Sequence, residues 1–177
     1  MNETLENIYT RRSVKKYKDE QIPQEKLELI LKAGEYAANG MGAQSPIMIV
    51  VQNKETIETL RKLNLRAMGK EGENIDLFYG APTVVCVLAN KNIMTYVEDG
   101  SLVIGNMMIA AHSLEIDSCW IHRAKQAFET SEGKEIIKKA GYDPEEYVGI
   151  GHCILGYRDC NYPVEKPRKA DYISYIK

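Results

Sequence analysis

A chain of 177 residues and 20.0 kDa has room for one domain with a substantial core, which excludes a catalytic domain joined to a separate cofactor module. Hydrophobic residues make up 44% and charged ones 27%, with 23 cations against 25 anions, so neither a disordered chain nor a bulk nucleic-acid binder is expected. The acidic opening Met1-Asn2-Glu3-Thr4-Leu5-Glu6 carries no apolar leader, and the longest apolar run, residues 102–114, is broken by Asn106 and His112 and too short for a bilayer; a cytoplasmic protein without membrane association is expected.

Residues 3–10 read as a short helix. Pro23 opens a second, in which Leu27, Ile30, Leu31 and Gly34 form one buried stripe, with its end expected near Asn39-Gly40. The run 47–51 suits a buried strand, 54–66 a helix with Ile57, Leu60 and Leu63 inward, and 83–88 a second buried strand entered through the loop Phe78-Tyr79-Gly80-Ala81-Pro82. Residues 96–116 turn helical again and are apolar nearly all round, which predicts a helix covered on every side and packed against a second subunit; full cover by its own chain is the alternative. A short strand at 118–121, a helix capped by Ser131 and stopped at Gly141, and a long strand at 147–157 follow. The tail Tyr172-Ile173-Ser174-Tyr175-Ile176 is β-prone and is expected to pair with another chain's sheet. This interleaving favours a layered α+β or α/β domain with a mixed sheet.

Chemistry-bearing residues are sparse. Cys86, Cys119, Cys153 and Cys160 include no CxxC pair and read as reduced thiols, and His112, His122 and His152 lie too far apart for a sequence-local metal site. His112, on an apolar helix, reads as a core histidine with a satisfied hydrogen bond. No serine sits in a nucleophile elbow, and neither Gly40-Met41-Gly42 nor Gly149-Ile150-Gly151 has the context of a nucleotide-binding turn. The charge is uneven, however. Arg11-Arg12-Ser13-Val14-Lys15-Lys16-Tyr17-Lys18 holds five cations in eight residues, leaving 18 cations against 25 anions elsewhere. Two readings stand: cations that complement the end of a short helix, or a phosphate clamp of guanidinium, hydroxyl and ammonium groups. A second basic cluster, Lys166-Pro167-Arg168-Lys169, is either a solvated tail or the other half of that clamp. A phosphate-anchored ligand in a chain without an evident acid, base or nucleophile points to chemistry carried by a cofactor.

Arg11-Arg12-Ser13-Val14-Lys15-Lys16-Tyr17 after a short helix, Ala37-Ala38-Asn39-Gly40-Met41-Gly42-Ala43-Gln44, Tyr79-Gly80-Ala81-Pro82-Thr83, Ala110-Ala111-His112-Ser113-Leu114 followed by Ser118-Cys119-Trp120-Ile121, and Gly149-Ile150-Gly151 leading to Pro167-Arg168-Lys169 stand in an order that resembles the nitroreductase family of flavin-dependent oxidoreductases. The resemblance spans nearly the whole chain. It implies an α+β fold, residues 1–177 forming one domain with a mixed sheet flanked by helices, in an intertwined homodimer that binds FMN at the subunit interface. It also implies transfer of electrons from NADH or NADPH to a small electron-poor acceptor, nitroaromatic or quinone, by a ping-pong route.

Carried over by position, Arg11 and Arg168 are phosphate ligands, with Arg12 and Ser13 beside them and Lys166 as a helper, and Lys15 lies near the pyrimidine edge of the flavin. Ala38, Asn39, Gly40, Met41 and Gln44 belong to the loop that reaches the partner's flavin. Trp120, Ile121, His122 and Arg123 form the turn whose amides approach its reactive nitrogen, and Asn64 is a counterpart of an asparagine that faces the ring. No side chain is expected to react. The loop lacks the asparagine and tryptophan often found there in the family, and the chain is short, leaving little for a lid. A redox sensor or carrier that binds flavin without turnover, and a flavoenzyme of the same fold with another reaction such as dehalogenation, are the alternatives.

Overall fold

The computed structural model describes all residues, 1–177. The helices are α1 (Glu3–Thr10), α2 (Gln24–Glu35), α3 (Lys54–Ala67), α4 (Tyr96–Ser113), α5 (Ala124–Glu129) and α6 (Ser131–Lys139), and the strands are β1 (Pro46–Val51), β2 (Thr83–Asn90), β3 (Asp117–Ile121) and β4 (Tyr147–Gly156). The strands form one sheet in the order β1-β2-β4-β3, every neighbouring pair antiparallel. Parallel pairing is confined to a single bridge between Ser13 and Ser118, so the mixed character expected of the sheet amounts to that one contact.

Side chains of β2 alternate between two cores. Val84, Cys86 and Leu88 face one with Leu60, Phe128 and Ile137 from α3, α5 and α6; Val85 and Val87 face the other with Ile30 from α2 and Ile104 and Met107 from α4. Helices therefore cover both faces, which explains why a strand of an antiparallel sheet is apolar without interruption. Between Val87 and Leu88 the pairing with β4 shifts by one residue, leaving Ile150 as a bulge that packs against the α4 core.

Several boundaries differ from the sequence expectation. Helix α2 stops at Glu35, before Asn39, and α4 at Ser113. The side chain that caps α6 is Thr130, which accepts from Gly133 N, rather than Ser131. Helix α5 was not anticipated: six residues are too few for a periodicity, and it starts after the left-handed Arg123, at φ 76°. The tail from residue 164 onward is exposed and forms neither helix nor strand within this chain. No helix is long and apolar enough to cross a membrane.

Candidate functional site

The basic turn leaves α1 at Arg11 and runs along β3, where Val14 N donates to Ser118 O at 3.2 Å and Ser13 bridges Ser118. Arg11, Ser13 and Lys15 all lie close enough to Cys119 to oppose the upward pKa shift that burial gives its thiol. The guanidinium of Arg11 has one nitrogen, Nη1, that is fully buried and has no hydrogen-bond partner. A desolvated cationic donor without an acceptor is costly, and an anion such as a phosphate oxygen is the group that would satisfy it. Lys15 extends over the ring of Tyr79, with Nζ 5.9 Å from the centroid.

Arg12 is committed elsewhere. Its Nη1 donates to Tyr9 O at 2.6 Å and Arg11 O at 2.9 Å, and its Nη2 pairs with Glu165 at 3.0 Å. That pair ties the C-terminal segment to the basic turn. Arg168 lies three residues beyond Glu165, so their Cα atoms are no more than about 11 Å apart. Lys166 and Arg168 are themselves exposed. The two basic clusters, at opposite ends of the chain, thus come within one short peptide's reach.

Residues 38–44 form a second locus at the other end of α4. The buried Asp99 carboxylate accepts from Gly40 N at 2.9 Å, Ser45 Oγ at 2.7 Å and Thr95 Oγ1 at 3.1 Å. Burial pushes its pKa up, but these donors outweigh it and hold the carboxyl below its ordinary value. The loop they anchor contains two non-glycine residues in the left-handed region, Met41 at φ 54° and Gln44 at φ 49°, and Met41 is 87% exposed. Asn39 Oδ1 accepts from Gln44 N at 2.9 Å, and Ala38, Asn39 and Gln44 line a small cavity of about 120 Å³ with Gly34, Val103 and Met48. From Asp99 to His112, beside the basic turn, α4 runs thirteen residues, or about 20 Å.

The turn 120–123 is set by two close approaches. A Cβ on Gly151 would meet Trp120 Nε1 at 2.7 Å, and one on Gly149 would run into the backbone of Ala124 at the start of α5. Trp120 is partly exposed, Ile121 buried, His122 exposed, and Arg123 carries the left-handed turn.

Asn64 does not join these residues. It is completely buried, donating to Leu60 O at 3.0 Å and to His152 Nε2 at 3.2 Å, with its own Oδ1 unpartnered. The other ring nitrogen of His152 lies 3.4 Å from Cys86 Sγ, a thiol and imidazole pair that sequence could not place. Burial holds His152 at about 3 and pushes the Cys86 thiol far up, so both are neutral and the pair is no nucleophile. His112 is satisfied as expected, by Thr10 Oγ1 at 2.9 Å, but it lies at the surface end of α4 rather than in the core. Sequence reasoning missed Asp99, Tyr162 and Glu165. The acidic pair Glu98-Asp99 opening an otherwise apolar helix was a usable signal for Asp99; none existed for the other two.

The Nitroreductase family model matches residues 8–157. A protein of Methanothermobacter thermautotrophicus provisionally named an NADH dehydrogenase/NAD(P)H nitroreductase is 28% identical over 174 residues, 96% of this chain and 82% of its own length. Two solved structures align over the whole of both chains: a nitroreductase with bound FMN from Bacteroides fragilis, at TM-score 0.90 and 31% identity, and one with bound FMN from Desulfitobacterium hafniense, at 0.87 and 28%. With the match extending from α1 to the end of β4, and the basic turn and the residue 38–44 loop both inside it, the chain belongs to the nitroreductase family.

Proposed function

We propose that this protein is an NAD(P)H-dependent flavin oxidoreductase with FMN as its cofactor and a small electron-poor molecule, a nitroaromatic or a quinone, as acceptor. The observation that carries the reading is the buried, unpartnered Nη1 of Arg11 in a turn that also presents Ser13 and Lys15. Family membership and the FMN-bound relatives support it. When bound, FMN would supply the electron chemistry, two-electron transfer between NADH or NADPH and the acceptor.

The chain's own residues bind, orient and tune. Arg11 and Ser13, with Lys166 and Arg168 from the C-terminal segment, hold the phosphate. Lys15 supplies positive charge that favours the reduced, anionic ring. The turn of Trp120, Ile121, His122 and Arg123 presents backbone amides to it. The loop of Ala38, Asn39, Gly40, Met41 and Gln44 completes the site of a second subunit, since within one protomer about 20 Å of α4 separates it from the basic turn. A homodimer is also favoured by apolar surface: Leu5, Ile8 and Tyr9 on α1 and Val97 and Leu102 on α4 are each at least 40% exposed, as are Tyr172, Ile173, Tyr175 and Ile176 in the tail.

The test is spectroscopic. Freshly purified protein, or protein reconstituted with FMN, is expected to be yellow, to bleach anaerobically with NADH or NADPH, and to recover colour on addition of a nitroaromatic or quinone. An FMN-saturated protein that neither reduced nicotinamide bleaches would reject the reading.

A further inference from the structure

We propose that Tyr162 is a positioning residue for the flavin phosphate: its hydroxyl clasps the C-terminal segment to the basic turn, so that Lys166 and Arg168 are held over the same anion as Arg11. The inference rests on the phosphate site proposed above and assigns Arg12 to the clasp rather than to the phosphate.

After β4 the chain has no further helix or strand to fix it, and every residue from 164 is exposed. Residues 157–159 are tied to the basic turn by the Tyr17–Arg158 bridge and by Asp159 N donating to Lys16 O at 2.9 Å, and beyond them the segment is held to the rest of the chain by one ring and one ion pair. The Tyr162 hydroxyl donates to Thr10 O at 2.9 Å and accepts from Arg12 N at 2.9 Å, bonding two consecutive parts of the turn that leaves α1. Its ring stacks on His112, with centroids 6.1 Å apart and planes at 11°, and the Arg158 guanidinium lies 5.1 Å from its centroid. Arg158 is in turn held by the buried Asp117 at 3.1 Å. The Thr10 hydroxyl donates to Glu6 O, so His112 Nε2 donates to Thr10 Oγ1 and the imidazole is fixed in one tautomer. Three residues beyond Tyr162, Glu165 closes the loop on Arg12, whose side chain is only 15% exposed.

The consequence is one of effective concentration. Cations on a free tail must be ordered when the anion binds, whereas cations on a clasped segment are ordered beforehand. Loss of the clasp should therefore weaken binding of a flavin that carries a phosphate and leave binding of one that lacks it unchanged.

The experiment is fluorescence titration of the full chain, freed of flavin, with FMN and with riboflavin. Tyr162→Phe keeps the ring against His112 and Arg158 and removes both hydrogen bonds. It should weaken FMN binding about five- to tenfold, the size of one hydrogen bond's net worth, with riboflavin affinity unchanged. Glu165→Gln should move FMN affinity in the same direction by less, and it serves as the readout if Tyr162→Phe fails to fold. A merely structural Tyr162 would lower thermal stability and shift both ligands alike, overturning the proposal. An unchanged FMN-to-riboflavin ratio in Tyr162→Phe, alongside a reduced ratio in Arg168→Ala, would also overturn it while leaving the phosphate site standing. A wild-type protein with no preference for FMN over riboflavin would remove the phosphate site and the clasp together.

Discussion

Replacing Arg11 by methionine separates its two readings by sign. In the protein without flavin, Arg11 Nη1 is buried and unpartnered, and an unsatisfied buried donor costs about 1–3 kcal/mol. Against this stands its favourable place at the end of α1, which has no basic residue in its last turn; such a cation is worth about 0.3–1 kcal/mol. The balance favours the variant, because methionine fills most of the volume without a stranded donor. The flavin-free variant should therefore melt no lower than wild type, gaining about 2–4 °C for each kcal/mol released in a chain of this size. Flavin binding moves the other way: loss of a charge-assisted hydrogen bond of about 1.5–3 kcal/mol raises the FMN Kd about 10- to 150-fold. Thermal melts without FMN and a fluorescence titration with it measure both quantities on the same preparation. A variant that melts several degrees lower yet binds FMN as tightly as wild type would refute the reasoning and leave Arg11 as a helix-end cation.

Three further outcomes follow from the interior. His152 has a pKa of about 3 when folded against an ordinary 6.5, so the unfolded chain takes the proton first; its stability contribution is full above about 6.5 and is lost as pH falls toward 3. By pH 4 the loss is on the order of 3 kcal/mol, and urea unfolding at pH 7 and pH 4 should show wild type losing that much more than His152→Gln; equal losses would contradict the assignment. Asp99→Ala strands Gly40 N–H and the hydroxyls of Ser45 and Thr95, which should cost about 1.5–3 kcal/mol and speed amide exchange in residues 39–45, whereas unchanged exchange would show that the carboxylate does not hold the loop. Gly149→Ala drives a methyl group into the backbone of Ala124, which cannot rotate aside, and should cost about 1–3 kcal/mol of unfolding free energy; a variant as stable as wild type would show that the start of α5 yields.

The elements that sequence located well are those whose apolar runs are continuous because they are covered on more than one side. The run in β2 is apolar because both faces are covered, and α4 because the sheet and α2 enclose much of it. Strand direction was less legible. Helix α3 between β1 and β2 suggests a parallel crossover, yet the turn-rich segment 68–82 carries the chain back so that the two strands pair antiparallel. The same division holds for the site. Arg11, Ser13 and Lys15 stand out because they fall within one short basic run of an otherwise acidic chain, and the C-terminal cations stand out for the same reason. Tyr162 has no local signature: its partner Arg12 N is 150 residues away, and nothing short of tertiary structure joins them. Arg12 and Asn64 show the converse, since residue type and position suggested ligands while an ion pair and a sealed core had already engaged them.

Four buried polar atoms lack partners in this protein: Arg11 Nη1, Tyr17 OH, Asn64 Oδ1 and Ser118 Oγ. The deficit alone does not mark a ligand site, because the missing partner must be able to arrive. Asn64 belongs to a cysteine, histidine and asparagine cluster whose residue types suit nucleophilic catalysis, but it is wholly inaccessible, and Phe78 and Phe128 pack around the same imidazole. Burial keeps His152 neutral and the proton on Cys86 sulfur, so the cluster can neither receive a substrate nor activate a thiol. Tyr17 is likewise enclosed, and burial pushes its hydroxyl pKa far up. Of the four, Arg11 alone combines a permanent charge with a side chain on a partly exposed residue, at a turn where further cations converge. An anion is what its deficit calls for.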